Sequence, residues 1–237
     1  MKDFSNVSFP PDTNGYLGRL ESGSVRLVGT CFLVQANTFA TAAHNLDAND
    51  AKVVAILPDD LNDFNSYQAI SRPNLACIAL SLKDVDPLHD LAILTCDAII
   101  THPQMPTLAS TDTTAVGDKV FALGYPHAQW GGTVMVQQET IIGARVLVTK
   151  GSLQIRHVII NQQTVLGQSG APVYAMKNGT VIGVLVGTFA AVLLLRRQLV
   201  AEPGHRAIKV MQREPLKAAD LVVLAPAIRR AVGAADK

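Results

Sequence analysis

The chain has 237 residues, of which 49% are hydrophobic and 16% charged, with a formal net charge of +1. That is enough apolar material for a sizeable core in one large domain or two small ones. It excludes a disordered chain, and it leaves no electrostatic footprint for a nucleic-acid or membrane-surface partner.

Residues 1 to 18 are polar and rich in Pro and Gly, and are expected to form a poorly anchored arm. They hold no apolar stretch of the kind a secretory leader needs, which suits a cytosolic protein or a chain already trimmed. Short runs of Val, Ile, Leu and Thr follow, separated by turn residues: Val25–Val28, Cys31–Val34, Val53–Leu57, Cys77–Leu82 and Leu91–Leu94. The segment Leu108–Gly117 (LASTDTTAVG) is small and polar and reads as a linker. Runs resume at Val120–Leu123, Val146–Val148, Val158–Ile160, Val173–Ala175 and Val181–Val186. Strands at this spacing predict an all-β sandwich or barrel, here in two halves, 19–110 and 111–237. Gly179–Leu195 carries no charge, but it is short for a membrane span and is expected to be a buried strand. Residues 189–219, with Arg196, Arg197, Arg206, Lys209 and Arg213, read as a solvated hairpin, or else as a loop that gates or recognises a substrate. Pro226–Val232 is the clearest helix, with proline where a missing N–H does no harm.

Three local patterns carry chemistry: FATAAHNL at 39–46, DPLHDLAIL at 86–94 and GQSGAPVY at 167–174. They supply His44, Asp90 and Ser169. A serine hydroxyl is a weak nucleophile until a neighbouring base takes its proton. Histidine can do this near neutral pH and return the proton to a leaving amine. The imidazolium so formed needs an anion to hold its tautomer and orientation. A developing oxyanion needs backbone N–H donors, and a side chain at Gly167 would hinder the turn that aims them. The N–H groups of Gly167 and Ser169 are therefore the expected oxyanion hole.

The order His, Asp, Ser, within TAAH, D-L-A-I-L and G-x-S-G-x-P, resembles the trypsin/chymotrypsin-like serine peptidases. GTCFLV (29–34) is similar to that family's strand before the histidine, and LVVLAPAIRRAV (221–232) to its last strand and C-terminal helix. The likeness is nearest to disulfide-free bacterial types, such as glutamyl endopeptidases and HtrA-like proteases, and no PDZ-like segment follows in this sequence. The resemblance implies two six-stranded antiparallel barrels with a short C-terminal helix. The site would lie between them, hydrolysing protein or peptide substrates through an acyl-enzyme, with no cofactor and no metal.

The resemblance also implies a specificity pocket. Gln163 to Leu166, Thr164 among them, would form one wall, and Val184 to Thr188, with Leu185, Val186 and Gly187, the opposite strand. Gln163 stands where trypsin has its pocket aspartate, and Leu185 where glutamyl endopeptidases have a histidine, so a small or medium apolar P1 side chain is expected. Gln168 replaces the aspartate that receives a new N-terminus in trypsins, which predicts no such activation. Val186 replaces a serine that usually supports the aspartate. His89 is expected to face away from Asp90's partner, and His102, His127, His157 and His205 lack metal-ligand spacing. Cys31, Cys77 and Cys96 are an odd, sparse set that reads as free thiols. The rival readings are a catalytically idle protease fold used as a binding module, though such proteins usually lose a triad residue, and an esterase with the same triad. Oligomeric state is not legible.

Overall fold

The computed structural model describes residues 11–46, 52–57, 66–70, 76–100, 102, 104–109, 114–150, 152–188, 220–224, 228–229 and 232. Twelve strands form two closed antiparallel barrels. The first holds β1 (Asn14–Glu21), β2 (Ser24–Gln35), β3 (Thr38–Ala42), β4 (Lys52–Ile56), β5 (Ile78–Asp86) and β6 (Leu91–Thr95), in the spatial order β1-β2-β3-β6-β5-β4. The second holds β7 (Lys119–Gly124), β8 (Val136–Lys150), β9 (Leu153–Ile160), β10 (Pro172–Ala175), β11 (Val181–Thr188) and β12 (Asp220–Leu224), in the order β10-β11-β12-β9-β8-β7. Closure leaves neither sheet with an open edge.

Strand β1 corrects the expected arm. It begins at Asn14, and Tyr16 and Leu17 are fully buried. Its two flanks pair with β2 and β4, which closes the barrel. Gly18 reads as a loop residue but serves close packing: a Cβ there would lie 2.4 Å from Val25 Cγ1. Residues 1–10 lie outside the described residues. The runs at 25–28 and 31–34 prove to be one strand, β2, continuous through Gly29 and Thr30.

Each barrel is filled by its inward side chains. Leu17, Cys31, Leu33, Phe39, Ala55 and Leu94 pack together in the first, and Val120, Ile142, Val158, Val173 and Leu185 in the second. A third cluster crosses between the barrels through Tyr16, Phe32, Phe121 and Tyr125. There the Tyr16 and Tyr125 rings lie 3.8 Å apart, and Tyr125 Oη donates to the Asn14 carbonyl at 3.0 Å. This seam fixes one barrel against the other.

Val181–Thr188 of the uncharged stretch is strand β11, and no helix among the described residues is long and apolar enough to cross a membrane. The proposed hairpin at 189–219 lies outside the described residues. Ile228 and Val232 are helical and buried in the central cluster, while Arg229 Nη1 donates to the Leu108 carbonyl. None of the three cysteines is in a disulfide: Cys31 and Cys96 are buried, Cys77 is exposed. Burial pushes the Cys31 thiol far above its ordinary value, which keeps it unreactive.

Candidate active site

The histidine sits in a single 3-10 turn, Ala43–Asn45, directly after β3. The aspartate sits immediately before β6, which pairs with β3. Adjacent strand ends therefore bring the two together. The Asp90 carboxylate accepts two hydrogen bonds from one residue: His44 N–H to Oδ1 at 2.9 Å, and His44 Nδ1 to Oδ2 at 2.7 Å. The Ala43 N–H meanwhile donates to the Asp90 carbonyl at 2.9 Å. Asp90 has φ +54°, a left-handed conformation that Asp and Asn tolerate better than most side chains. With Nδ1–H committed to the carboxylate, the other ring nitrogen is left as an acceptor.

The preceding turn is held separately. The Asp86 Oδ1 accepts from the Leu88 and His89 N–H groups, and the His89 ring pairs with Asp86 Oδ2 at 2.5 Å. Burial alone would raise the Asp86 carboxyl, but the bonds from His89 and Leu88 outweigh it and leave it below its ordinary value. Lys150, at the end of β8 in the other barrel, donates to the Pro87 and Leu88 carbonyls. His157 on β9 is buried, and that burial pushes its pKa below the usual histidine value.

Ser169 lies between β9 and β10 of the second barrel, half-buried, yet its backbone is anchored in the first. Its carbonyl accepts from Thr30 N–H on β2 and from Asn45 Nδ2, both at 2.9 Å. The residue after His44 thus holds the backbone of Ser169. Thr30 Oγ1 donates to the Gly167 carbonyl at 2.9 Å, which clamps the turn before the serine as well. The Leu166 carbonyl accepts from His127 N–H at 2.8 Å. Across a trans peptide C=O and N–H point oppositely, so the Gly167 N–H is turned away from the 125–128 loop. Neither the Gly167 nor the Ser169 N–H meets an acceptor among the described residues. Two unpaired donors flanking one hydroxyl are what a developing oxyanion requires.

Gly170 explains why this turn admits no side chain at that position. Its φ is +91°, and a Cβ would fall 2.0 Å from the Thr30 carbonyl and 2.4 Å from Thr41 Oγ1. Gly170→Ala is expected to destabilise the fold by about 3 kcal/mol or more, because neither the backbone nor the clash can relax cheaply. A urea midpoint within error of wild type would refute that account.

Gln168 is 1% exposed. Its Oε1 accepts from Val165 N–H at 2.9 Å, and its Nε2 donates to Gln138 Oε1 on β8 at 2.5 Å. A neutral amide therefore ties the serine turn to the cleft wall and to the barrel.

A cleft of about 380 Å³ opens beside Ser169, lined by His127, Trp130, Thr164, Val165, Leu166 and Gly187. Of the expected pocket residues, Thr164, Val165, Leu166 and Gly187 line it. Gln163 does not: it is exposed. Leu185 points into the second barrel's core and Val186 into the central cluster. The Thr188 side chain lies outside the described residues. His127 and Trp130, whose rings stack at 4.9 Å, were not expected in the cleft. The only trace of them was an aromatic in the loop after β7, YPHAQW. His102 pairs with Asp12, and His205 lies outside the described residues.

The sequence matches the family model of the trypsin-like peptidase domain over residues 29–184. No curated protein matches it. Among solved structures it is similar to the Rv3671c protease from M. tuberculosis in its active form, at 18% identity and a TM-score of 0.63, covering 94% of this chain and 80% of that one. It is also similar to the HtrA-type protease AlgW with tripeptide, at 17% identity and a TM-score of 0.65, covering 97% of this chain and 63% of that one. The MamO protease domain from Magnetospirillum magneticum aligns at 15% identity and a TM-score of 0.61, covering 93% and 95% respectively.

Proposed function

Because this chain belongs to the trypsin-like peptidase family and is a serine-type peptidase, we propose that it is an endopeptidase whose triad is His44, Asp90 and Ser169. The observation that carries the assignment is the two-point contact of His44 with Asp90, on a turn whose next residue, Asn45, hydrogen-bonds the carbonyl of the cleft-lining Ser169. Ser169 Oγ attacks the scissile carbonyl carbon while His44 Nε2 takes its proton. The carbonyl electrons move onto oxygen, held by the N–H groups of Gly167 and Ser169. Collapse of that intermediate breaks the C–N bond, and His44 gives its proton to the departing amine. Water then repeats the sequence on the acyl-enzyme and frees Ser169. Each oxyanion donor lowers the barrier by about 3 kcal/mol in such sites.

The cleft supports an apolar P1 preference. Val165, Leu166 and Trp130 supply its walls, and no acidic residue is among its described lining. A buried Lys or Arg would therefore find no countercharge there.

Labelling with a fluorophosphonate, followed by mass mapping of the adduct, tests the nucleophile; a peptide library then tests the pocket. The adduct is expected on Ser169, with cleavage after small or medium apolar residues. A folded protein that takes no label would bring the idle binding module forward. Cleavage mainly after Arg or Glu would overturn the pocket assignment alone.

A further inference from the structure

Asn45 is 4% exposed and stands between the two barrels. Its Nδ2 lies 2.9 Å from the Ser169 carbonyl and 3.0 Å from Thr41 Oγ1. Both amide hydrogens are thereby used, one across to the second barrel and one back to β3. Thr41 Oγ1 donates onward to the Thr30 carbonyl at 2.8 Å, and Thr30 N–H donates to the Ser169 carbonyl at 2.9 Å. The four residues close a ring of hydrogen bonds around the base of the serine turn. Arg19 donates to the Asn45 carbonyl at 2.7 Å and fixes the turn from its other side. Gly29 leaves the space: a Cβ there would fall 2.4 Å from Asn45 Nδ2.

We propose that Asn45 is a positioning residue for peptide hydrolysis: its amide ties the turn that carries His44 to the backbone carbonyl of Ser169, and so sets the approach of hydroxyl to imidazole. The inference rests on Ser169 being the nucleophile. The position requires two donors. A carboxylate of the same shape has none, and it would set a negative charge against the Ser169 carbonyl. Alanine removes both bonds without adding charge. Asn45 lines no part of the cleft that holds Thr164–Leu166 and Gly187. Its loss therefore acts on the chemical step and leaves substrate binding in place. Misplacing a reacting group by about 1 Å costs up to about 100-fold.

The experiment measures fluorophosphonate labelling of Ser169, kcat and KM on a cleaved peptide, and the melting temperature, for wild type, Asn45→Asp and Asn45→Ala. All rates are taken well below each melting temperature. Asn45→Ala is expected to lose about tenfold, and Asn45→Asp about 100-fold, in labelling rate and kcat at unchanged KM. The rate of Asn45→Asp relative to wild type should recover as pH falls, beginning above the ordinary carboxyl range because burial disfavours the charged form, since the protonated acid regains a donor. Should Asn45→Asp not fold, Asn45→Ala alone decides. A labelled wild type with an equally reactive Asn45→Ala overturns the role of Asn45 and leaves the triad standing. A wild type that takes no label overturns the serine assignment, and this inference with it.

Discussion

Ser169→Ala is expected to lower turnover of a cleaved peptide about a million-fold, because triad members act as a unit and the loss of one forfeits nearly all they contribute together. The fold should survive the change. The anchoring bonds at this residue come from Thr30 N–H and Asn45 Nδ2 to its backbone carbonyl, which alanine keeps. Only Oγ is removed, from a half-buried position. The oxyanion donors and the cleft remain, so a small residual rate above that of water is expected. Comparing kcat for wild type and variant, with melting curves for both, checks this directly. A loss smaller than about tenfold would place the nucleophile elsewhere, since no triad member is dispensable to that degree.

Asp90→Asn should cost about 10⁴-fold in kcat, a magnitude borrowed from trypsin-like enzymes in general. The reason can be traced atom by atom. The side-chain oxygen of the new amide goes to the His44 N–H, which can only donate. The amide NH2 then faces Nδ1, which must become the acceptor. The ring proton moves to Nε2, and the nitrogen that should receive the Ser169 proton already holds one. Asparagine also tolerates the left-handed backbone at this position, where φ is +54°. The variant thus separates tautomer from fold, as alanine would not. An Asp90→Asn protein within about tenfold of wild type would mean that Asp90 does not orient the base.

The sequence made some of this legible and hid the rest for physical reasons. Buried strands such as Leu91–Thr95 and Val181–Thr188 announce themselves as short apolar runs; eight such runs fall wholly within described strands, and Val53–Leu57 and Cys77–Leu82 overrun theirs by one residue. β1 was hidden because NGYLGRLE mixes glycine and charge, and its glycines make sense only against the neighbours they approach. Most of β8 was hidden too. Fifteen residues long, it carries exposed and half-buried side chains around one buried residue, Ile142, with Gln, Glu and Arg among them, and only its Val146–Val148 stretch was read as a strand. The proposed triad was legible because each chemical role asked of it would confine its local sequence. The β11 wall of the cleft was not, because whether Leu185 or Gly187 faces the cleft depends on a register shift between those residues where β11 pairs with β12. Asn45 could be read only as the neighbour of a histidine; its partner is 124 residues away.

The Gln168 contacts bear on how the site answers to its surroundings. In a turn held by an ion pair, salt weakens the hold by screening, and pH weakens it by titrating either partner. Here the hold is an amide that bonds Val165 N–H and Gln138 Oε1 from a buried position. It has no charge for counter-ions to screen and no proton to lose in the ordinary range. The shape of the serine turn then stays constant across conditions that would loosen a charged latch.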